Sequence, residues 1–137
     1  MKPVLLDTGC IVALLDRSEQ SHAICASALE QLSSPLVTCD PVIAEACYLL
    51  RRLPGAVDAV LENVERGIFH IPLHLADQTP SVRRLLKKYA RVPMDLADAC
   101  LVDLAEELDT GDILTLDSDF HIYRWSRNRT FHVLIEK

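Results

Sequence analysis

Short apolar runs alternate along this chain with stretches whose apolar residues recur every three or four positions. Val4-Leu5-Leu6 is a continuous apolar run closed by Asp7-Thr8, after which Ile11, Val12, Leu14 and Leu15 fall at helical spacing. That pattern predicts a buried strand passing directly into a helix, with Asp7 or Thr8 available as its cap. Ser21 opens a second helical stretch to about residue 32, which Ser33-Ser34-Pro35 stops. Leu36 to Cys39 predicts a strand. Asp40-Pro41 then predicts a helix start, with Asp40 as N-cap and Pro41 in the first helical position. Pro54-Gly55 ends that helix after the stripe Val42, Ala46, Leu49, Leu50 and Leu53. A helix over 56–66, an extended segment over 68–73 and a basic amphipathic helix over 80–90 follow. The clearest helix spans 94–108, closed by Asp109-Thr110-Gly111, and strands are expected over 113–116 and 131–135.

Apolar strands that do not alternate, separated by helices, predict a parallel sheet covered on both faces, an α/β architecture. The length of 137 residues suits one domain, residues 1–137, with no repeat, low-complexity tract or linker. Half the residues are apolar and only 5% are aromatic, which favours helices on a buried sheet over a β-sandwich. The five cysteines are odd in number and form no C-x-x-C pair. They read as small core hydrophobes of a reduced protein. The opening apolar run is too brief for a leader, and nothing approaches the ~18 apolar residues of a membrane span. A cytoplasmic protein with no membrane role is expected. The net charge of −6 excludes a protein that coats nucleic acid by bulk charge, but not a local acidic site.

The candidate chemistry lies in where the acids fall. In an open parallel sheet, ligands bind beyond the carboxyl ends of the strands. Asp7 follows the first predicted strand and Asp117 the fourth, with Asp119 two residues on. Each also has an ordinary use: Asp7 as a cap, Asp117 and Asp119 as turn residues. Helical projection of 94–108 sets Asp95, Asp103, Glu106 and Glu107 on one side, a solvated face. Asp98 instead falls in the arc of Ala97, Leu101, Ala105 and Leu108. A carboxylate there needs a cation, a proton or a hydrogen-bond partner. Glu45 lies at the edge of its helix stripe, where pairing with an arginine would also explain it. Asp95 reads as a cap or first-turn acid. From 95 to 119 there are nine acidic residues and no Lys or Arg. If Asp7, Asp98 and Asp117 converge, a hard divalent cation, Mg²⁺ or Mn²⁺, is the expected occupant. Such an ion suits phosphodiester hydrolysis.

With these positions in hand, the chain resembles PIN-domain proteins of the VapBC type, the ribonuclease toxins of toxin–antitoxin pairs. The resemblance spans nearly the whole chain. It rests on Leu5-Leu6-Asp7-Thr8-Gly9, Ile43-Ala44-Glu45, Met94-Asp95-Leu96-Ala97-Asp98-Ala99 and Leu114-Thr115-Leu116-Asp117-Ser118-Asp119-Phe120. It implies a PIN-like α/β/α sandwich with a parallel sheet of about five strands, and a metal-binding quartet of Asp7, Glu45, Asp98 and Asp117. Asp119 is implied as an auxiliary ligand or a group behind the ligands. Mg²⁺- or Mn²⁺-dependent cleavage of RNA, an antitoxin partner and a homodimer are implied with it. Gly9 departs from the family pattern, where serine is more usual, and removes a hydroxyl near Asp7. The same resemblance leaves room for a non-toxin PIN nuclease in RNA processing, or for a PIN-like interaction module with little catalysis.

RNA also needs a basic counterpart. Arg124, Trp125 and Arg127, with Arg129 beside them, set an aromatic among arginines and are the candidate substrate contacts. Arg83, Arg84, Lys87, Lys88 and Arg91 form a second cluster that reads as a solvated helix face. Two other enzyme classes are disfavoured. Asp7-Thr8-Gly9 and Asp109-Thr110-Gly111 match the aspartic-protease triplet, but that chemistry needs an all-β fold. A phosphatase-like site wants an acid two residues after Asp7, where Gly9 stands, and a receiver-like site wants a lysine at the last strand.

Overall fold

A computed structural model describes residues 2–135. Five strands form one parallel sheet: β1 (Val4–Leu6), β2 (Leu36–Val37), β3 (Phe69–His70), β4 (Asp112–Leu114) and β7 (His132–Val133). A two-stranded antiparallel hairpin, β5 (Arg124–Trp125) and β6 (Arg129–Thr130), stands outside it. The helices are α1 (Thr8–Leu15), α2 (His22–Glu30), α3 (Asp40–Leu49), α4 (Ala56–Glu65), α5 (Leu75–Lys88) and α6 (Leu96–Leu108). This is the expected α/β/α arrangement around a five-stranded parallel sheet.

The sheet order is β3-β2-β1-β4-β7. From β1 the chain builds outward through β2 and β3, then returns to the other side of β1 with β4. The order therefore reverses beside β1, and the crevice beyond the carboxyl ends of β1 and β4 is the switch point where such sheets bind ligands. β1 is buried on both faces: Val4, Leu5 and Leu6 are all almost fully covered, as its unbroken apolar run requires.

Several boundaries differ from the sequence pattern, each for a physical reason. Helix α3 begins at Asp40 itself, with Cys39 as N-cap and Pro41 within the first turn. Asp40 is thus a first-turn acid, favourable to the helix dipole, and not the cap. Helix α5 starts at Leu75 and runs through Pro80. Its early turns are held by tertiary contact: buried Gln78 donates to the Cys100 carbonyl at 3.1 Å and to Asp103 at 3.0 Å. The same contact corrects the solvated face assigned to α6. Ala97 through Ala105 are all buried, and Asp103 is 2% exposed under α5. The strands at 36, 68 and 131 are shorter than predicted, because only two residues of each pair in the sheet.

A short 3-10 turn (Ser118–His121) and the β5–β6 hairpin escape the sequence pattern. The hairpin turn holds Ser126, Arg127 and Asn128 all at positive φ, a conformation for which only Asn128 has a side-chain preference. Four of the five cysteines are buried and none is in a disulfide among the described residues, as expected of core hydrophobes. Among the described residues no helix is long and apolar enough to cross a membrane.

Candidate metal centre

Three of the four predicted acids converge. Asp7, Asp98 and Asp117 each present a carboxylate oxygen within 4.8 Å of the others. They come from the end of β1, the first turn of α6 and the segment after β4, so three separate elements must dock to make the site. All three sit at the amino end of a helical element. Asp7 caps α1, accepting from Thr8 N at 2.8 Å. Asp117 caps the 3-10 turn, accepting from Asp119 N at 2.9 Å. Asp98 lies in the first turn of α6, where Asp95 is the cap and accepts from Asp98 N at 2.8 Å. The choice between cap and ligand thus dissolves. A carboxylate has about four acceptor positions, so a capping bond leaves room for another partner. The positive ends of α1 and α6 further favour anions here.

Two hydroxyls fix the remaining oxygens. Thr115 Oγ1 donates to Asp7 Oδ2 at 2.7 Å and accepts from the Asp117 backbone N–H at 3.0 Å, tying the segment just after β4 to two of the acids. Tyr123, fully buried, donates to Asp98 Oδ2 at 2.9 Å. Neither residue stands out in the sequence. Thr115 is one more β-branched strand residue, and Tyr123 reaches its partner across 25 positions.

Burial and crowding perturb the acids strongly. Asp7 and Asp98 are each 6% exposed. Burial pushes the Asp7 carboxyl up to about 6, against the pull of its bonds from Thr115 and Thr8, with Asp117 and Asp95 adding repulsion. Burial, then the charge of Asp95, pushes Asp98 up to about 7, with Asp7 and Asp117 contributing and Tyr123 opposing. Without a counter-charge, part of this cluster is held protonated near neutrality.

The acids open into a cleft of about 270 Å³ whose wall includes Thr8, Gly9, Glu45, Leu49 and Asp95. Among the described residues no Lys or Arg lines it. Glu45, on α3, reaches this rim and is exposed, outside the 4.8 Å cluster. Asp119 neither joins the cluster nor lines the cleft; its backbone N–H holds Asp117. The Thr8 hydroxyl in the cleft wall is buried without a hydrogen-bond partner. At Gly9 an added Cβ would find Leu116 at 3.7 Å, ordinary contact, so packing does not demand glycine there. This donor set fits a hard divalent cation: all oxygen, three buried or half-buried carboxylates, an orphaned hydroxyl and no competing ammonium or guanidinium.

The predicted substrate contacts lie elsewhere. Trp125 is buried, its indole N–H donates to the Thr130 carbonyl at 3.1 Å, and the ring packs against Gly111. Arg129 covers that ring at 5.1 Å and pairs with Asp109 at 3.3 Å, at the end of α6 remote from Asp98. Arg124 spends Nη1 on the carbonyls of His121, Ile122 and Tyr123, each at 2.9 Å. Trp125 therefore packs within the hairpin, while the Arg124 guanidinium closes the chain after the 3-10 turn. Arg127 is exposed at the hairpin turn.

The comparisons with known proteins converge on one class. The family profile of the PIN domain matches residues 4–125, and the chain belongs to the PIN-domain family, among its VapC-like members. Ribonuclease VapC26 of Mycobacterium tuberculosis (strain ATCC 25618 / H37Rv) is 31% identical over 116 residues, spanning 83% of this chain and 86% of that protein. The crystal structure of Mycobacterium tuberculosis VapC20, described as a sarcin–ricin loop cleaving toxin, shares the fold with a TM-score of 0.77. Its identity is 18%, over 85% of this chain and 91% of that one.

Proposed function

We propose that this protein is a Mg²⁺- or Mn²⁺-dependent endoribonuclease and the toxin of a VapBC-type pair, acting as one PIN domain over residues 1–137. The observation that carries the reading is the convergence of Asp7, Asp98 and Asp117 to within 4.8 Å from three separate elements. The name of the relative VapC26, a ribonuclease, supports RNA as the substrate. An antitoxin partner, a homodimer and a cytoplasmic location belong to the same reading.

Asp7, Asp98 and Asp117 would hold the cation, with Glu45 as the fourth acid of the cleft and Asp119 acting behind Asp117. When bound, the ion activates water and neutralises charge on the phosphoryl oxygen. The chain's own part is to hold its oxygens still. Thr8 N and Thr115 fix Asp7, Tyr123 fixes Asp98, and Asp119 N fixes Asp117. Such preorganisation spares the site from reorganising as charge develops. Glu45, which none of these bonds holds, is assigned to take the proton of the attacking water. Water attacks phosphorus as its proton passes to Glu45, the P–O bond to the leaving ribose oxygen breaks, that oxygen takes a proton from solvent, and no covalent enzyme intermediate forms.

An RNA cleavage assay in Mg²⁺ or Mn²⁺ tests this, comparing the wild type with Asp7→Ala and Asp98→Ala. Cleavage by the wild type alone is expected. Equal cleavage by all three proteins refutes the acidic site.

A further inference from the structure

A second cavity of about 490 Å³ opens beside the acidic cleft. The two share Leu116 and Asp117 in their walls, so they adjoin at Asp117. Its remaining wall combines apolar Val133 and Ile135, at the carboxyl end of edge strand β7, with Ser118 and His121 of the 3-10 turn. The side chains of Ser118 and His121 make no hydrogen bond or ion pair among the described residues, and both residues are exposed. Solvent-facing polar groups not engaged by the protein, beside an apolar floor, are what a small-molecule site presents, and the volume is that of such a site. Nothing in the fold needs these groups there: the adjoining backbone is already tied down by Asp117, Thr115 and Arg124.

The geometry points to this cavity as the subsite for the nucleoside next to the scissile phosphate. The inference rests on the ribonuclease reading above and deepens it. With the phosphate over Asp7, Asp98 and Asp117, the neighbouring nucleoside on the Asp117 side enters the cavity. Its base lies on Val133 and Ile135, with the His121 ring beside it, and its polar edge or ribose meets Ser118. Apolar and aromatic surfaces of this kind take any base face, and the polar groups choose among edges. His121 and Val133 are accordingly specificity-determining residues, and base preference at the cut is set on this side of Asp117.

Photocrosslinking tests the subsite independently of catalysis. Single-stranded RNA oligonucleotides carrying 4-thiouridine at successive positions are irradiated with the protein in Mg²⁺, and crosslinked peptides are mapped by mass spectrometry. The expected crosslinks fall on residues 118–121 and 133–135. Val133→Trp, which fills the cavity, and His121→Ala each lower their yield about tenfold, a stacking-sized effect of about 1.4 kcal/mol. Circular dichroism establishes that each variant is folded; exposed His121→Ala decides the matter if Val133→Trp is not. Crosslinks confined to other segments, yields unchanged in the folded variants, or no crosslink at all overturn the subsite. Failure of the ribonuclease reading is seen separately, as absence of cleavage by the wild type.

Discussion

The Tyr123 hydroxyl donates a 2.9 Å hydrogen bond to Asp98 Oδ2, joining the segment before the hairpin to the first turn of α6. Burial and the neighbouring carboxylate push the tyrosine's pKa upward, so the phenol keeps its proton and remains the donor. Tyr123 is itself locked between Tyr89 and Phe120, with ring centroids 5.1 Å from each. The bond therefore fixes the orientation of a carboxylate that would otherwise be free to rotate.

Removing that hydroxyl with Tyr123→Phe leaves the aromatic cluster intact and the Asp98 oxygen short of a donor. Divalent-metal affinity should fall by about 10–100-fold, the range for losing a group that orients a ligand. Isothermal titration calorimetry with Mn²⁺ reads this directly, and unchanged affinity would remove Tyr123 from the centre.

The raised carboxyls make stability depend on pH in a defined direction. Asp7 and Asp98 move from 3.8 to about 6 and about 7 on folding. In the absence of metal the folded state binds more protons than the unfolded chain across that window. Their stabilising protonation is complete below about pH 4 and is lost as pH rises through 6 and 7. The melting temperature in EDTA should fall over this range relative to Asp98→Asn. With Mg²⁺ present the difference should reverse, since the deprotonated acids are then the liganding form. A wild-type melting curve in EDTA that tracks Asp98→Asn at every pH contradicts the raised values.

Thr115→Val keeps the β-branched shape of the residue just after β4 but removes the donor to Asp7 and the acceptor for Asp117 N–H. A buried carboxylate oxygen and a half-buried N–H lose a partner at once, the buried one at a cost of about 1–3 kcal/mol before relaxation. Denaturant melts should show a loss of that order. Thr115→Ser, which retains the hydroxyl, should recover most of it.

Gly111→Ala probes the hairpin and not the centre. A methyl at this position would collide with the indole of Trp125, a rigid ring already bonded to the Thr130 carbonyl. Overpacking of this kind costs about 1–3 kcal/mol. The melting temperature should drop while Mn²⁺ affinity in the folded protein stays at the wild-type level.

Local pattern carried the architecture because the strongest signals were local. The unbroken Val4-Leu5-Leu6 run demanded burial on both faces, and Asp7 directly after it marked the carboxyl end of the central strand. Asp98 stands out because it falls in the apolar arc of Ala97, Leu101, Ala105 and Leu108. The structure buries Asp98 within an α6 that is covered all round from Ala97 to Ala105. The same fact explains the misplacement of Asp103: helical projection sees one helix and not the α5 that covers it. Trp125 reads as a nucleic-acid contact in sequence because arginines surround it. Its true partners, Gly111 and the Thr130 carbonyl, are set by a turn of three left-handed residues that no dipeptide announces. Glu45 lies at the edge of its helix stripe in the sequence and on the cleft rim in the structure, and neither isolates it from an ordinary surface acid.

The order in which the carboxylates occur along the chain has a consequence for the protein during its own synthesis. Asp7 leaves the ribosome early, Asp98 much later and Asp117 last, yet the 4.8 Å cluster needs all three. It also needs β4 seated beside β1, a pairing across more than a hundred positions that closes slowly because its loop is long. A nascent chain still lacking residue 117 has the first strand and its helix but no completed centre. The centre is thus assembled only once β4 and the segment after it have joined the first strand.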